Sequence, residues 1–246
     1  MWITLLTVLV ESVDIIMKLE LEKTLNSLIL KEKREQFEAF RALLKEYNEK
    51  FNLTTIIEEK DVNYKHFLDS VAGNFLFRQG GKVAEIGSGA GFPSIPLKIV
   101  RDDLSFDLFE SVGKKCEFLQ VVVDKLGLKG MNIYKLRAED GAMDGKFRER
   151  YDHAVARAVA RMNTLSEYCL PFLKVGGSFI AYKSGDRTEI DEAKNAYKVL
   201  GGKLKEVYEY SLPEEYGDRI LAVVEKVKPT PTRYPRGQGR ERKTPL

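Results

Sequence analysis

The sequence KVAEIGSGAGFPSIP at residues 82–96 decides the fold, because it predicts a buried strand that runs directly into a glycine-rich turn. The turn contains Gly87, Gly89 and Gly91, and Pro93 and Pro96 follow where a helix is expected to begin. Turns of this kind hold nucleotides at the carboxyl ends of strands, because glycine lets the backbone approach a ligand closely. The stretch therefore predicts a nucleotide-type ligand and leaves its identity open.

Strand-like and helical runs alternate along the chain that follows this turn. The predicted strands are KVAEI, LSFDLFE, MNIYKL, YDHAVARAV and GGSFIAYK, with helical stretches such as GKKCEFLQVVVDKLGL between them. Such alternation with short connections predicts an α/β fold with a mostly parallel sheet and helices on both faces. The runs KLKEVYEYSL and DRILAVVEKV follow each other with Pro213 and Gly217 between them, which predicts a C-terminal antiparallel hairpin.

The first 80 residues show no strand pattern and are predicted to form a helical appendage to a sheet domain at 81–228. Residues 33–51 carry apolar side chains at helical spacing, and a second helix is predicted within 61–77, with Asp61 as its N-cap. Residues 1–16 are either a misassigned start or a first amphipathic helix. Their apolar run is too short to span a bilayer and lacks a basic leader, so we expect a cytoplasmic protein.

Composition excludes several classes of protein. The chain has 246 residues, of which 43% are hydrophobic and 31% charged, as in ordinary globular proteins. Its two cysteines, Cys116 and Cys169, form no disulfide framework or metal cluster, and two histidines make a histidine zinc site a poor prediction. The net charge of +3 is concentrated at residues 229–246, predicted to be a flexible basic tail. Such a tail suits a phosphate backbone, although a solvated tail that aids solubility fits as well.

The residues around the turn discriminate between nucleotide ligands. Phe92 stands where the dinucleotide fingerprint requires its third glycine, and Pro93 and Pro96 remove N–H donors that a pyrophosphate needs. A nicotinamide dehydrogenase is therefore disfavoured. Glu85 suits a cationic ligand, and Glu110, at the end of the next predicted strand, suits a ribose diol. S-adenosylmethionine satisfies both carboxylates, while a structural tight turn with surface acids remains the plain alternative.

The motifs of the chain, in this order, resemble the bacterial methyltransferase family called RsmG or GidB. The resemblance covers the chain from about residue 45 to the C-terminus and rests on these segments: FNLTTI, HFLDS, EIGSGAGFPSIPLKI, LFESVGKKCEFL, LRAED, VARAV, AYKSG, Tyr234-Pro-Arg236 and the closing KTPL. It implies a class I, Rossmann-like methyltransferase fold with a seven-stranded sheet. It also implies methylation of N7 of a guanine in the 530 loop of small-subunit (16S) ribosomal RNA.

The candidate contacts of S-adenosylmethionine combine Glu85 with the residues that the resemblance implies: Gly87, Gly89, Gly91, Phe92, Glu110, Ala138, Glu139 and Arg157. The resemblance gives Glu110 the ribose and Glu139 the adenine edge. It places Arg157, as a positioning residue, near the methionine end or the RNA. Since Arg157 interrupts a buried strand it needs a partner, and an ion pair with Glu85 or Asp152 is the competing explanation.

Cations at several predicted loop ends suggest where RNA binds. The candidate RNA contacts are Lys114, Lys115, Arg161, Lys183, Arg233 and Arg236, although for any one lysine alone a solvated surface charge is the better interpretation. Phe92 or Tyr182 is expected to stack on the target base. His153 is expected to be a satisfied core histidine.

The predicted chemistry needs positioning and no general base, because guanine N7 carries a lone pair and no proton. We expect a monomer without a bound metal, acting on ribosomal RNA or an assembling small-subunit particle, with no membrane partner. Two other functions stay open: a class I methyltransferase for a non-RNA substrate, and a non-enzymatic RNA-binding assembly factor.

Overall fold

The computed structural model describes residues 31–212 and 216–246. The predictions made for residues 1–16 and for Pro213 lie outside the described residues. In the described part, no helix has both the length and the apolar character needed to cross a membrane.

Seven strands form one sheet in the order β3-β2-β1-β4-β5-β7-β6. The strands are β1 Lys82–Ile86, β2 Ser105–Glu110, β3 Met131–Lys135, β4 Tyr151–Arg157, β5 Leu173–Ser184, β6 Gly202–Ser211 and β7 Asp218–Lys226. Strands β1 to β5 pair in parallel, whereas β7 is antiparallel to both β5 and β6. The predicted α/β class and the C-terminal hairpin are confirmed. The order reverses at β1 and β4, which places the glycine turn at the topological switch point.

Helices cover both faces of this sheet. They are α1 Lys31–Phe51, α2 at 59–71, α3 Ser94–Val100, α4 Gly113–Leu126, α5 Ala138–Met143, α6 Met162–Cys169, α7 Thr188–Glu192, α8 Lys194–Leu200 and α9 Arg240–Lys243. Helix α2 joins the α-helical turns Glu59–Asp61 and Asp69–Val71 through a wider π-helical segment, Val62–Leu68. The predicted cap at Asp61 is wrong, because α2 begins earlier and the Asp61 carboxylate accepts a hydrogen bond from Lys65.

The alternation of side chains along β1 divides the core into two clusters. Val83 points into the cluster that contains Phe40, Phe67 and Phe118 of the helical segments, whereas Ala84 points into the cluster on the other face. The Phe40 ring lies 5.6 Å from the Phe67 ring and 6.5 Å from the Phe118 ring. The N-terminal helices are therefore part of the sheet domain's own core, which fixes their position relative to the strand ends.

Candidate active site

The glycine turn after β1 adopts a backbone that side chains disfavour. Gly87, Gly89 and Gly91 have φ values of 69°, 57° and 87°, all in the left-handed region. A Cβ on Gly87 would lie 2.8 Å from Val159 Cγ2, and one on Gly91 would lie 2.5 Å from Ile95 Cγ1. The turn therefore needs glycine for its dihedral angles and for its close packing, at Gly87 against the chain that follows β4 and at Gly91 against α3.

Glu110, at the end of β2, supports the turn from the neighbouring strand. Its Oε2 accepts a hydrogen bond from the Gly89 amide at 2.9 Å, and its Oε1 accepts one from the Val112 amide at 2.8 Å. A carboxylate oxygen has two acceptor positions, so each oxygen can still accept a hydroxyl group. Glu110 thus holds the glycine backbone and retains capacity for a diol.

A cavity of about 290 Å³ opens beside this carboxylate, and we call it the β1–β3 cavity. Four of the predicted cofactor residues line it: Gly87, Glu110, Ala138 and Glu139. Its wall also includes residues that sequence reasoning missed, namely Val159, Tyr168, Gly239 and Arg242. Glu85, Gly89, Gly91, Phe92 and Arg157 do not line it. The structure therefore brings the strand-end residues together at one cavity and places the other candidates around it.

Glu85 lies beneath the turn, on the sheet face that α3 covers. Its Oε1 accepts a hydrogen bond from the Ser94 amide at 3.3 Å, and its Oε2 has no hydrogen-bond partner among the described residues. Burial raises the pKa of Glu85 to about 7, because the charged form loses its hydration. Glu85 therefore lies below the glycine turn and does not line the β1–β3 cavity.

Phe92 and Tyr182 are both buried, so neither of these two rings offers an exposed face to a stacked base. The Phe92 ring stacks on the His66 ring at 4.2 Å, and the Arg157 guanidinium lies 5.0 Å from its centroid. The Tyr182 hydroxyl donates a hydrogen bond to the Ser70 carbonyl at 2.8 Å. The expectation that either ring stacks on the target base is wrong for this conformation.

Arg157 ends β4 in a network that fastens α2 to the sheet. It donates to Asp69 Oδ2 at 2.9 Å, to the Lys65 carbonyl at 3.2 Å and to His66 Nδ1 at 3.1 Å. The partner is therefore Asp69, and neither Glu85 nor Asp152 forms an ion pair with Arg157. The Asp152 carboxylate is occupied elsewhere, by Arg78 and Lys174.

His66 contributes to this network as a neutral ring. Burial lowers the pKa of the imidazole to about 3, and the adjacent Arg157 charge acts in the same direction. Because Nδ1 accepts from Arg157, the proton lies on Nε2, which donates to Thr54 Oγ1 at 3.0 Å. Thr54 and His66 belong to the motifs FNLTTI and HFLDS, which supported the family resemblance. Nothing in these motifs predicted that they contact β4.

The second cavity, about 280 Å³, lies at the ends of β4 and β5, and we call it the β4–β5 cavity. Its wall includes Asp69, Arg157, Ala158, Lys183, Glu189 and Arg219. Ala158 lines this cavity, whereas the next residue, Val159, lines the β1–β3 cavity. Ala158 has a φ of 56°, a conformation that costs free energy for a non-glycine residue. The two cavities therefore flank one strained turn of backbone.

The candidate RNA-binding cations of the domain follow the carboxyl ends of β2, β4 and β5. Lys114 lies at the start of α4 with its Nζ 5.5 Å from the Phe51 ring centroid, and Lys115 follows it. Arg161 is exposed and paired with Glu192. Lys183 is largely enclosed, and its Nζ donates to the Ala160 carbonyl and to Glu189. Lys114, Lys115 and Arg161 thus lie on an outer rim, and Lys183 lies within the cavity.

The C-terminal residues 229–246 pack against the domain, so the prediction of a flexible tail is wrong. Arg236 forms a salt bridge of 2.8 Å with Glu167, whose side chain is completely buried. Arg148 donates to the carbonyls of Thr230 and Tyr234. Arg236 therefore anchors the tail in this structure. Arg233 stays exposed, with its guanidinium 5.1 Å from the Tyr234 ring centroid.

Two further observations concern residues outside the cavities. His153 accepts from the Arg78 amide at 3.1 Å and bonds Ser178 Oγ at 2.8 Å, which confirms it as a satisfied core histidine. Within the described ranges, no group of three or more His, Cys, Asp and Glu residues could hold a metal ion.

Comparison with known proteins agrees with this architecture. A family model described as GidB, rRNA small subunit methyltransferase G, matches residues 33–216. Ribosomal RNA small subunit methyltransferase G of Brevibacillus brevis is 50% identical over 87% of this chain and 91% of its own. The protein of the same name from Acetivibrio thermocellus is 42% identical over 87% of this chain and 89% of its own.

Solved structures show the same fold at low sequence identity. A SAM-dependent methyltransferase from Aquifex aeolicus superposes with a TM-score of 0.53 and 15% identity, over 72% of this chain and 97% of that one. The sheet order, the glycine turn and the extent of the sequence match lead to one assignment. The chain belongs to the GidB family of rRNA small subunit methyltransferases G.

Proposed function

We propose that this chain transfers the methyl group of S-adenosylmethionine to N7 of a guanine in the 530 loop of small-subunit ribosomal RNA. The observation that carries the proposal is the pair of cavities on either side of Ala158–Val159. One is built around a glycine turn and the Glu110 carboxylate, and the other contains the charged side chains of Arg157, Lys183 and Glu189. A donor and an acceptor held in two such cavities can meet at the backbone turn that separates them.

The residues of the β1–β3 cavity fit S-adenosylmethionine, which supplies an electrophilic methyl group on a sulfonium. Gly87 lets the backbone approach the ligand, and Glu110 can accept the ribose hydroxyls. Ala138 and Glu139 line the same cavity, and we propose that they contact the adenine edge. Gly89 and Gly91 shape the turn, while Glu85 and Phe92 support it from below. A pyrophosphate would instead need the N–H donors that Pro93 and Pro96 lack, which disfavours a dinucleotide.

The chemistry assigned to the chain is positioning. The N7 lone pair forms the new N–C bond, the S–C bond breaks, and the sulfur keeps its electron pair. No proton is transferred, so no general base is needed. We assign to Arg157 a positioning role, because its bonds to Asp69, His66 and Lys65 fix the end of β4 between the two cavities.

The family name of the relatives supports a ribosomal RNA substrate, as free RNA or within an assembling small subunit. The rim residues Lys114, Lys115 and Arg161 are proposed to contact phosphates, together with Arg233. We propose that a monomer is active. We also propose a cytoplasmic location, because the proposed substrate belongs to an assembling ribosomal subunit.

Mapping of N7-methylguanine in cells tests this proposal. Borohydride followed by aniline cleaves RNA at N7-methylguanine, so small-subunit RNA from cells with the gene should be cut in the 530 loop. RNA from cells without the gene should remain intact there, and a plasmid copy should restore the cut. An identical cleavage pattern in both strains would contradict the proposal.

A further inference from the structure

The β4–β5 cavity carries charges of both signs that binding of the methyl donor does not use. It adjoins the β1–β3 cavity through Ala158 and Val159, and methyl transfer requires the reacting atoms to approach within about 3–3.5 Å. With a donor in the β1–β3 cavity, the acceptor base must enter beside this backbone turn. The polar groups of the β4–β5 cavity are then those that the base meets.

One part of this wall is a network of groups bonded to each other, which fastens α2 to the sheet. Asp69 accepts hydrogen bonds from Arg157 at 2.9 Å and from the Tyr210 hydroxyl at 2.8 Å, and Arg219 lies 3.5 Å away. Arg157 in turn directs its other guanidinium nitrogen to His66. These groups hold each other and are poorly placed to exchange partners with a base.

Lys183 and Glu189 lie outside this network, and each keeps bonding capacity. Lys183 Nζ donates to the Ala160 carbonyl at 2.7 Å and to Glu189 Oε2 at 3.1 Å, and an ammonium has a third N–H. Glu189 Oε2 also accepts from the Met162 amide at 2.9 Å. Glu189 Oε1 makes no hydrogen bond within residues 31–212 and 216–246, and the side chain is 22% exposed. One N–H donor of Lys183 and one carboxylate oxygen of Glu189, which can accept two hydrogen bonds, are therefore left for a ligand.

The order of these groups matches one edge of a purine. Ala160 follows the backbone turn that separates the cavities and accepts a hydrogen bond from Lys183, which also bonds Glu189. Along the cavity wall the order in space is therefore the β4 terminus, the Lys183 ammonium and the Glu189 carboxylate. Guanine presents in the same order the N7 acceptor, the O6 acceptor and the N1–H and N2–H donors. We propose that the β4–β5 cavity holds the target guanine, with O6 on Lys183 and the Watson–Crick donors on Glu189. This assignment rests on the proposed function and adds its base specificity.

The arrangement rejects adenine at two positions. Adenine carries an amino group in place of O6, which would face the Lys183 ammonium donor to donor. Its N1 is an acceptor and would face the Glu189 carboxylate. Sites that leave buried polar groups unpaired discriminate strongly against the wrong ligand, so this pair of residues selects guanine.

Glu189 also favours the transfer itself. Formation of the N7–methyl bond leaves a positive charge on the purine, and this charge makes N1–H a stronger donor. The hydrogen bond to the Glu189 carboxylate therefore strengthens as the reaction proceeds, and an interaction of this kind raises kcat. A Glu189→Gln enzyme is expected to lose kcat more than affinity for S-adenosylmethionine.

The test compares guanosine with inosine, which lacks the 2-amino group, at the target position of reconstituted small subunits. Methyl transfer by the wild type and by Glu189→Gln gives four values of kcat/KM. In Glu189→Gln, the side-chain oxygen must accept the hydrogen bonds from the Met162 amide and from Lys183. The side-chain NH2 group then faces the N1–H and N2–H donors of guanine. Inosine should lower kcat/KM of the wild type about tenfold or more, but that of Glu189→Gln less than about threefold.

Two controls complete the design. Asp191→Asn removes a charge from the same helix at an exposed position, and its kcat/KM with guanosine should stay within about twofold of the wild type. Affinity for S-adenosylmethionine, measured by calorimetry, should be unchanged in Glu189→Gln. If this variant fails to fold, the wild-type comparison of guanosine with inosine still decides.

The experiment separates failure of the guanine site from failure of the proposed function. Equal rates on guanosine and inosine in the wild type, or an equal inosine penalty in both proteins, would overturn the guanine site and leave the proposed function intact. No methylation of guanosine-containing subunits by a wild type that binds S-adenosylmethionine would overturn both.

Discussion

Replacing Glu110 with glutamine should disable both the glycine turn and the ribose site. Each oxygen of Glu110 accepts one backbone N–H, from Gly89 at 2.9 Å and from Val112 at 2.8 Å. An amide has one oxygen, so in either orientation its NH2 group faces one of these N–H donors. A buried donor without an acceptor costs about 1–3 kcal/mol, and Glu110 is only 6% exposed.

The cost should appear in ligand affinity. A carboxylate forms stronger hydrogen bonds to hydroxyl groups than an amide oxygen does, and the turn that the ligand contacts loses one of its anchors. Weakening by about 1–3 kcal/mol corresponds to a Kd for S-adenosylmethionine that is roughly five- to 150-fold higher. Glu110→Ala removes both acceptors and should weaken binding at least as much.

Isothermal titration with S-adenosylmethionine measures this change directly, and Glu117→Gln is the matched control. Glu117 lies on the exposed face of α4, so its replacement changes the net charge equally without touching the cavity. Thermal melting in parallel identifies any general loss of folding. A Kd for Glu110→Gln within about twofold of the wild type would refute the reasoning. An equal loss in both variants would assign the effect to net charge.

Three further changes follow from the same geometry. Gly87→Ala should lower the free energy of unfolding, measured by urea denaturation, by about 1–3 kcal/mol, because Gly87 has a φ of 69° and a Cβ there would lie 2.8 Å from Val159. Gly145→Ala should leave this free energy unchanged, because Gly145 has open space around it. The pKa of Glu85 rises from 4.5 to about 7 on folding, so wild-type stability should fall by up to about 3 kcal/mol as pH rises across that window. Glu85→Gln should remove this decline, and identical pH profiles of the two proteins would contradict the raised pKa. Arg236→Ala leaves the buried Glu167 carboxylate without its cation and should lower the free energy of unfolding by about 3 kcal/mol. Unchanged melting would show that the C-terminal segment is not anchored there.

The fold was readable from sequence because its signals are local. Each strand of the parallel sheet is a short apolar run bounded by turns, and the hairpin follows from two such runs without a helix between them. Gly87 and Glu110 were predicted together because the carboxyl ends of neighbouring parallel strands share one edge of the sheet. Ala138 and Glu139 came from the family resemblance, and the structure places them in the same cavity.

The contacts that the sequence did not predict all join distant segments. The pairing of Arg157 with Asp69 spans 88 positions and depends on how α2 packs on the sheet. The composition of the C-terminal tail suggested a flexible segment, yet a buried carboxylate on α6 holds Arg236. Glu189 carries no motif, and its position beside the cavity follows only from the path of β5 and α7.

The central claim, attack by N7 of one guanine, is tested most directly by removing that atom. Purified protein and labelled S-adenosylmethionine would be incubated with small subunits that carry guanosine or 7-deazaguanosine at the target position. The account predicts one methyl group per subunit with guanosine and none above background with 7-deazaguanosine, while binding of the donor is equal in both reactions. Equal incorporation into the two substrates would contradict it.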